Sequence, residues 1–192
     1  RQTSKGFPHY DESDVFESGG EELVPLKDGS YRKEHESDFS RITRVGDGWE
    51  ARDRSGTRYR LGTTVQSRIH RKGGTFNETF AWYVDEVIDV NGNRMTYTYE
   101  KYDDSKGAIY CHDIRYSIFG RDCQAVTFDY ERRPDAFSSY LSGFEVTTAR
   151  RCRQIRVTSR DLLVRRYVLG YEVGRIPSRP AACPLAFHCS ER

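Results

Sequence analysis

From Phe39 onward, apolar residues recur at alternate positions in short bursts, and turn-forming residues separate the bursts. Side chains of an extended chain point alternately to two faces, so this pattern predicts half-buried β-strands. Ile42 and Arg44 alternate with Thr43 and Val45, and Gly46-Asp47-Gly48 marks a tight turn. Trp49 and Ala51 lead to a second turn at Ser55-Gly56, after which Tyr59 and Leu61 resume on one face. Between Phe80 and Glu100 the alternation puts Trp82, Val84, Ile88 and Val90 on one face of a strand over 82–90, with Met95, Tyr97 and Tyr99 on the returning strand over 94–99. Asn91-Gly92 between them predicts a two-residue type I′ turn, because both residues tolerate φ > 0. Further strands are expected around Ile114, Tyr116 and Ile118, around Val126, Phe128 and Tyr130, from Phe144 and Val146, with Ile155 and Val157 either its continuation or a separate strand, and along Leu163, Tyr167, Leu169 and Tyr171.

The two ends of the chain break this pattern. Residues 1–38 read as an irregular, acidic lead-in punctuated by Pro8, Gly19, Gly20, Pro25 and Gly29, with only Glu21 to Pro25 extended. Beyond Gly174, Pro177, Pro180 and Pro184 oppose any ladder, because Pro lacks the N–H donor. The expected organisation is one unit over 1–174, strand-rich over 39–174, and an atypical loose tail over 175–192. The fold class expected is all-β, mostly antiparallel strands and hairpins. One internal echo stands out: Asp53-Arg54-Ser55-Gly56-Thr57-Arg58-Tyr59 matches Asp89-Val90-Asn91-Gly92-Asn93-Arg94-Met95, each a strand ending in Asp, a Gly turn and a returning strand.

Composition sharpens the picture. Aromatics make up 13% of the 192 residues, with 13 Tyr, while 31% are charged. Disordered chains are poor in aromatics, so this balance fits thin sheets packed on one face and wet on the other. The net charge of +2 is too even to imply a nucleic-acid partner. No apolar run is long enough for a membrane-spanning helix. The chain begins at Arg1 without Met, and it is expected to be a fragment.

Candidate chemistry is sparse. Five Cys (Cys111, Cys123, Cys152, Cys183 and Cys189) include no CxxC pair and suit a reduced folding compartment better than a disulfide framework. Cys183, His188 and Cys189 lack the spacing of a structural zinc site. Cys111 and His112 are adjacent in a strand and point to opposite faces. Glu34 and Glu36 flank His35 on what reads as a solvated edge. Lys72-Gly73-Gly74-Thr75 lacks the helix a phosphate loop needs. No catalytic, metal or cofactor-binding residue is expected. The polar cluster with the most character is Arg133-Pro134-Asp135, a rigid corner joining two strands in which Asp135 accepts backbone N–H groups or pairs with an Arg.

Several blocks resemble one family. Gly6-Phe7-Pro8-His9-Tyr10-Asp11, Glu22-Leu23-Val24-Pro25 and Phe39-Ser40-Arg41-Ile42 come first. Asp89-Val90-Asn91-Gly92-Asn93 with Tyr97-Thr98-Tyr99 follows, and Arg133-Pro134-Asp135-Ala136-Phe137-Ser138-Ser139-Tyr140 is the most distinctive. Their order over about residues 6–172 is similar to the SpvB-type amino-terminal region of insecticidal toxin complex B components, relatives of Rhs and YD-repeat virulence proteins. The resemblance implies a curved, open, shell-like sheet segment. It would be a non-enzymatic part of a hollow β shell that encloses and delivers a toxic passenger, made in the cytoplasm and released with the complex. Implied partners are the remainder of the B component, the C component and the A component. Asp89, Asn91, Gly92, Asn93, Tyr97, Arg133, Pro134, Asp135, Phe137 and Tyr140 are its structural motif residues. The alternative is a self-contained β module that recognises glycan or protein on a host surface; it would close on itself around a concave aromatic pocket, whereas a shell segment would keep an open edge. The tail from Pro180 departs from the family pattern.

Overall fold

The computed structural model describes residues 1–172 apart from 5, 36–38, 72–77 and 119, together with the backbone of a short strand over 188–191. The earlier residues Glu36 and 72–75, and most of the tail including Cys183, lie outside the described residues. The fifteen strands are β1 (Phe16–Ser18), β2 (Glu21–Pro25), β3 (Ser30–Lys33), β4 (Arg41–Val45), β5 (Gly48–Arg52), β6 (Arg58–Leu61), β7 (Arg68–His70), β8 (Thr79–Trp82), β9 (Val84–Ile88), β10 (Arg94–Glu100), β11 (Tyr110–Ile118), β12 (Arg121–Ser139), β13 (Val146–Ser159), β14 (Leu162–Gly170) and β15 (His188–Glu191). Thirteen of them form one antiparallel sheet in chain order, interrupted only where the β7–β8 hairpin leaves it between β6 and β9. The sheet is open rather than closed into a barrel, and the chain has no helix among the described residues.

Because the order is a simple meander, successive connections alternate between the two ends of the strands. One end carries tight turns at 19–20, 53–57, 89–93 and 160–161. The other carries the longer excursions at 62–83, 101–109 and 140–145.

The pairing also fixes two unlike faces. Ile42, Ala51, Tyr59, Val87 and Met95 stand opposite one another on neighbouring strands, as do Tyr97, Ile114, Val126 and Val157. The opposite face carries Glu50, Arg60, Glu86 and Arg94, which link in series at 3.4, 3.0 and 2.8 Å. Half-exposed pairs of this kind contribute under about 1 kcal/mol each; their larger effect is to keep that face wet.

The lead-in is not irregular. β1, β2 and β3 lie within it, and β2–β3–β4 pairing joins it to the main sheet. These strands are only 3–5 residues long, too short to show a period in the sequence. Gly19 and Gly20, both at positive φ (63° and 85°), make the type I′ turn between Ser18 and Glu21. Leu23 of β2 then joins Ile42 and Trp49 in the buried core, with Phe16, Tyr31, Ala51, Leu61 and Trp82 packed around them.

The strand expected over 82–90 is also different. It breaks at Tyr83, whose N–H donates to Ser67 O (2.9 Å) and whose carbonyl accepts from Gly62 N (2.8 Å). Trp82 belongs to the β7–β8 hairpin, and Val90 sits in the following loop, 67% exposed. Within β9, Arg60 faces Glu86 but Leu61 faces Val84, so Asp85 is an extra residue. One extra residue inverts the alternation. Val84 and Val87 therefore share the apolar face, and Ile88 turns to the other one, buried opposite Arg58 and Arg94.

At the tail, β15 pairs with Tyr167–Gly170 of β14, so part of the segment expected to be loose extends the sheet.

Candidate functional site

Asp89, Asn91, Gly92 and Asn93 form the β9–β10 connection. It is a three-residue loop, not a two-residue turn: Gly92 N donates to Asp89 O and Asp89 N to Asn93 O, both at 3.1 Å. Gly92 takes φ +82°, while Asn91 stays outside the left-handed region. The reason is Asp89. Its carboxylate accepts from the backbone N–H of Asn91 (2.8 Å) and Asn93 (2.9 Å) and from the Asn93 side chain (2.8 Å), which closes the longer loop and leaves one left-handed position for glycine. These donors hold the Asp89 carboxyl below its ordinary pKa, the Asn93 side chain contributing most.

The Asp53 loop is built in the same way. Gly56 N donates to Asp53 O and Asp53 N to Thr57 O, again at 3.1 Å, with Gly56 at φ +90°. Asp28 is a third variant, accepting from Ser30 N and Oγ (3.0 and 2.6 Å) beside Gly29 at φ +78°. The sequence echo is thus one loop geometry used repeatedly, and the Asp53 and Asp89 loops adjoin: a Cβ at Gly56 would lie 3.0 Å from a Val90 methyl. Tyr97 lies apart from the loop, on β10 opposite Ile114.

Arg133, Pro134 and Asp135 do not join two strands. They lie inside β12, where pairing jumps from Arg132–Arg150 to Phe137–Thr148. Residues 133–136 bulge outward, and Pro134 suits the site because no ladder bond is asked of its nitrogen. Asp135 receives the Arg133 guanidinium through both oxygens, at 3.0 and 2.9 Å, and this contact lowers its pKa. Arg133 also lies 4.8 Å from the Phe137 ring centre.

The bulge would leave N–H groups of β13 unpaired, and the buried Tyr110 takes them. Its hydroxyl accepts from Ala149 N and Arg150 N, each at 3.2 Å, and donates to Ser105 Oγ at 3.0 Å. That uses the full hydrogen-bonding capacity of a phenol. Phe137, Tyr140 and Leu141 are left 53–59% exposed beside the bulge. The Asp89 loop and the 140–145 turn lie at opposite ends of the strands, so the two groups of motif residues do not form one site.

A cleft of about 590 Å³ lies between the first strands and β8. Phe16, Trp49 and Trp82 floor it in edge-on contacts, with ring centres 5.0–5.9 Å apart. Arg44 stacks 4.5 Å from the Trp49 ring centre, and burial lowers its pKa. Trp82 is held in place by its indole N–H, which donates to Asp47 O (3.0 Å). The hairpin carrying it is anchored by Asp85, which is 7% exposed and accepts from Thr63 N (2.6 Å), Thr63 Oγ1 (2.8 Å) and Ser67 Oγ (2.8 Å). A second anchor is Lys101, which reaches Val65 O (2.9 Å) and His70 Nε2 (3.3 Å).

Burial raises the Cys111 thiol, favouring its protonated form, and His112 faces Glu100 at 3.3 Å. His9, Asp11 and Asp14 bring potential metal-ligating atoms within 4.8 Å of one another. However, Asp14 is engaged by Arg1 and by the backbone N–H of His9 and Tyr10, and Asp11 by Ser13, so the cluster closes a turn.

Sequence reasoning missed Asp85, Tyr110 and the bulges. A Pro within a strand-like run was the available signal for the β12 bulge.

Comparison with known proteins gives a consistent picture. The family model described as SpvB, Salmonella virulence plasmid 65kDa B protein, matches residues 30–117 and 119–160. The N-terminal domain of effector protein SpvB from Salmonella typhimurium strain LT2 has the same fold, with a TM-score of 0.79 and 22% identity over 90% of this chain and 80% of that one. The TcdB2-TccC3 structure matches with a TM-score of 0.76 and 24% identity over 90% of this chain and 12% of that one. The Photorhabdus luminescens Tc holotoxin pore matches with a TM-score of 0.75 and 24% identity over the same shares. The chain thus spans most of the first relative and a small part of the other two. No curated protein sequence matches it.

Proposed function

The chain belongs to the SpvB family, and from that premise we propose that it is a non-enzymatic wall segment of a bacterial toxin complex B component. In this reading it contributes curved sheet to a hollow shell that encloses a toxic passenger. Its partners are the remainder of the B component, the C component and the A component, and it leaves the cell with that complex. One observation carries the reading: the thirteen-stranded sheet stays open, and among the described residues nothing forms a second layer over the apolar face of its second half. Half-buried Tyr97, Ile114, Val126 and Ile155 lie on that face. A domain that works alone covers such a face; a wall segment leaves it to the interior of an assembly. The Asp53 and Asp89 loops serve as rigid corners of the wall, and the Arg133–Asp135 bulge as a rigid bend within it.

The test uses the whole B component assembled with its C component. The assembled particle should shield the passenger from added protease, and Val126→Glu with Ile155→Glu should abolish that shielding. A particle that protects its passenger equally well with this segment deleted overturns the reading.

The aromatic cleft favours a second reading, in which the segment holds a ligand of its own. Saturable binding of an oligosaccharide or peptide to the isolated chain, lost in Trp82→Ala and retained in Val126→Glu, would select it.

A further inference from the structure

Four segments meet at the end of the sheet that carries the longer excursions: the lead-in residues Arg1 and 6–14, the excursion bearing β7 and β8, the 101–109 loop and the 140–145 turn. Their contacts form a closed series. Lys101 Nζ, at the start of the 101–109 loop, donates to Val65 O (2.9 Å) and lies 3.3 Å from His70 Nε2. That loop is tied in turn to the β12–β13 connection. Lys106 Nζ donates to the Glu145 carboxylate (2.8 Å), and Thr147 N donates to Lys106 O (2.7 Å).

The next link joins residues 132 positions apart. The Tyr10 hydroxyl donates to Ser142 O, and its ring centre lies 6.3 Å from that of Phe144. Ser142 is 2% exposed and its own hydroxyl donates to Phe144 O (2.7 Å), so the accepting turn is braced. Burial pushes the Tyr10 phenol up to about 12, which keeps it a donor.

The last link returns to the hairpin. Tyr10 holds φ +63°, a conformation that suits glycine better than tyrosine. Asp14 fixes the turn in that form by accepting from Tyr10 N (2.7 Å) and His9 N (2.8 Å). Arg1 pairs with the same carboxylate, and its Nε donates to Thr79 O of β8 (2.9 Å). The Arg1 guanidinium also lies 5.0 Å from the Tyr10 ring centre.

Strand order alone would keep these segments apart. β12 stands nine places from β1 in the sheet, about 40 Å away in a flat sheet with about 4.8 Å per strand. The six residues from Tyr10 to Phe16 reach about 20 Å when fully extended, and the turn at Asp14 shortens that span. The contact between Tyr10 and Ser142 therefore requires the sheet to curl. The tight turns at the other end meet immediate neighbours, as the Asp53 and Asp89 loops do.

We infer that these four segments form a closed collar that sets the curvature of the sheet, with Tyr10 as the link that closes it. The collar goes beyond the wall reading and does not depend on it. A ring of contacts has a property that an open series lacks. One broken link leaves every segment tethered from its other side, whereas two broken links free the segments between them. Links that never touch are therefore coupled.

The test uses the whole chain and reads amide hydrogen exchange at Gly143, whose N–H donates to Tyr140 O (2.8 Å). Tyr10→Phe removes the hydroxyl link and keeps the ring. Lys101→Met cuts the collar on the far side of the 101–109 loop. Each alone should speed exchange at Gly143 by about threefold, and the double variant should exceed the product of the two by about fivefold or more. The radius of gyration from small-angle scattering should rise in the double variant and hold in the single ones. Tyr59→Phe removes a hydroxyl contact with Asp53 (3.2 Å) at the tight-turn end, and it should combine additively with Lys101→Met. If Lys101→Met does not fold, Lys106→Met takes its place, because a cut on either side of the 101–109 loop should couple to Tyr10. Three results overturn the collar: additive effects of Tyr10→Phe and the lysine variant, no response of Gly143 to Tyr10→Phe, or equal coupling in the Tyr59→Phe pair.

Discussion

The first and second halves of the sheet use the same strand pairing and solve different packing problems. In the first half, short strands carry Phe16, Leu23, Tyr31, Ile42 and Trp49 on one face, and the β7–β8 hairpin folds over them to place Trp82 against that cluster. In the second half, β12 and β13 run 19 and 14 residues, yet among the described residues no element covers their apolar face. Stability there comes from long ladders, from bulges latched by tyrosine, as where the Tyr130 hydroxyl donates to Cys111 O (2.7 Å), and from cross-strand pairs such as Asp129 with Arg156 (3.1 Å). A lone sheet with one bare apolar face is marginal in water. The first half therefore holds the covered core, and the second half presents the more open apolar face.

Opening the covered core should have the largest effect. Trp49 is 5% exposed, and Trp49→Ala should cost about 3–5 kcal/mol. Phe128→Ala on the half-covered face should cost only about 1–2 kcal/mol. Urea denaturation of the two variants tests the contrast, and equal midpoints would erase it.

Glycine substitutions sharpen the contrast at finer scale. Gly62 (φ +63°) has the Trp82 ring 2.3 Å from the place a Cβ would occupy, whereas Gly92 (φ +82°) has nothing within 4 Å. Gly92→Ala should therefore cost only the left-handed penalty of about 1–2 kcal/mol. Gly62→Ala should add an overpacking cost of about 1–3 kcal/mol and disturb the tryptophan fluorescence. Asn91→Ala should be mild, since Asn91 needs no left-handed backbone.

Acidification should act in two steps. Burial lowers the His70 pKa, so neutral His70 stabilises the folded state above the unfolded value near 6.5, and that contribution is lost as pH falls below it. Protonated His70 would face Lys101 and Arg68, both cations, loosening the β7–β8 hairpin first. The Asp28, Asp53 and Asp89 carboxyls are lowered chiefly by side-chain donors from Ser30, Ser55 and Asn93. Their contribution is present above the unfolded value near 4 and is lost below it. Tryptophan emission should move before the β-sheet circular dichroism does, and His70→Gln should remove the earlier step.

The smallest effect expected is a gain. Arg160 and Asp161 hold φ +48° and +64° in the β13–β14 turn, a type I′ geometry that Asn-Gly fits better. Arg160→Asn with Asp161→Gly should stabilise the second half by about 1 kcal/mol, measured as a higher thermal midpoint.

Much of this architecture is legible along the chain. Alternation around Ile42, Tyr97, Val126 and Ile155 specifies antiparallel strands, because an extended backbone sends every second side chain to the same face. The Asp-x-x-Gly loops are equally local, since an aspartate acceptor and a left-handed glycine lie within five residues. Arg133-Pro134-Asp135 could be seen as a rigid element, but not as a bulge, because a bulge exists only relative to the partner strand it fails to match. For the same reason Ile88 was assigned to the wrong face: the extra residue at Asp85 is visible only once Arg60 and Leu61 are paired across from it. Of the lead-in strands, the extended Glu21–Pro25 became β2, while β1 and β3 escaped because three or four residues carry no period.

Local sequence by itself determined strand, turn and polarity, all of which depend on backbone sterics and short-range hydrogen bonds. Tertiary structure alone decided the register shifts, the folding of the β7–β8 hairpin over Trp49, and the reach of Tyr99, Tyr130 and Tyr171 to carbonyls on neighbouring strands. Those depend on which distant residues stand opposite one another, and each is set by pairing energies summed across the whole sheet.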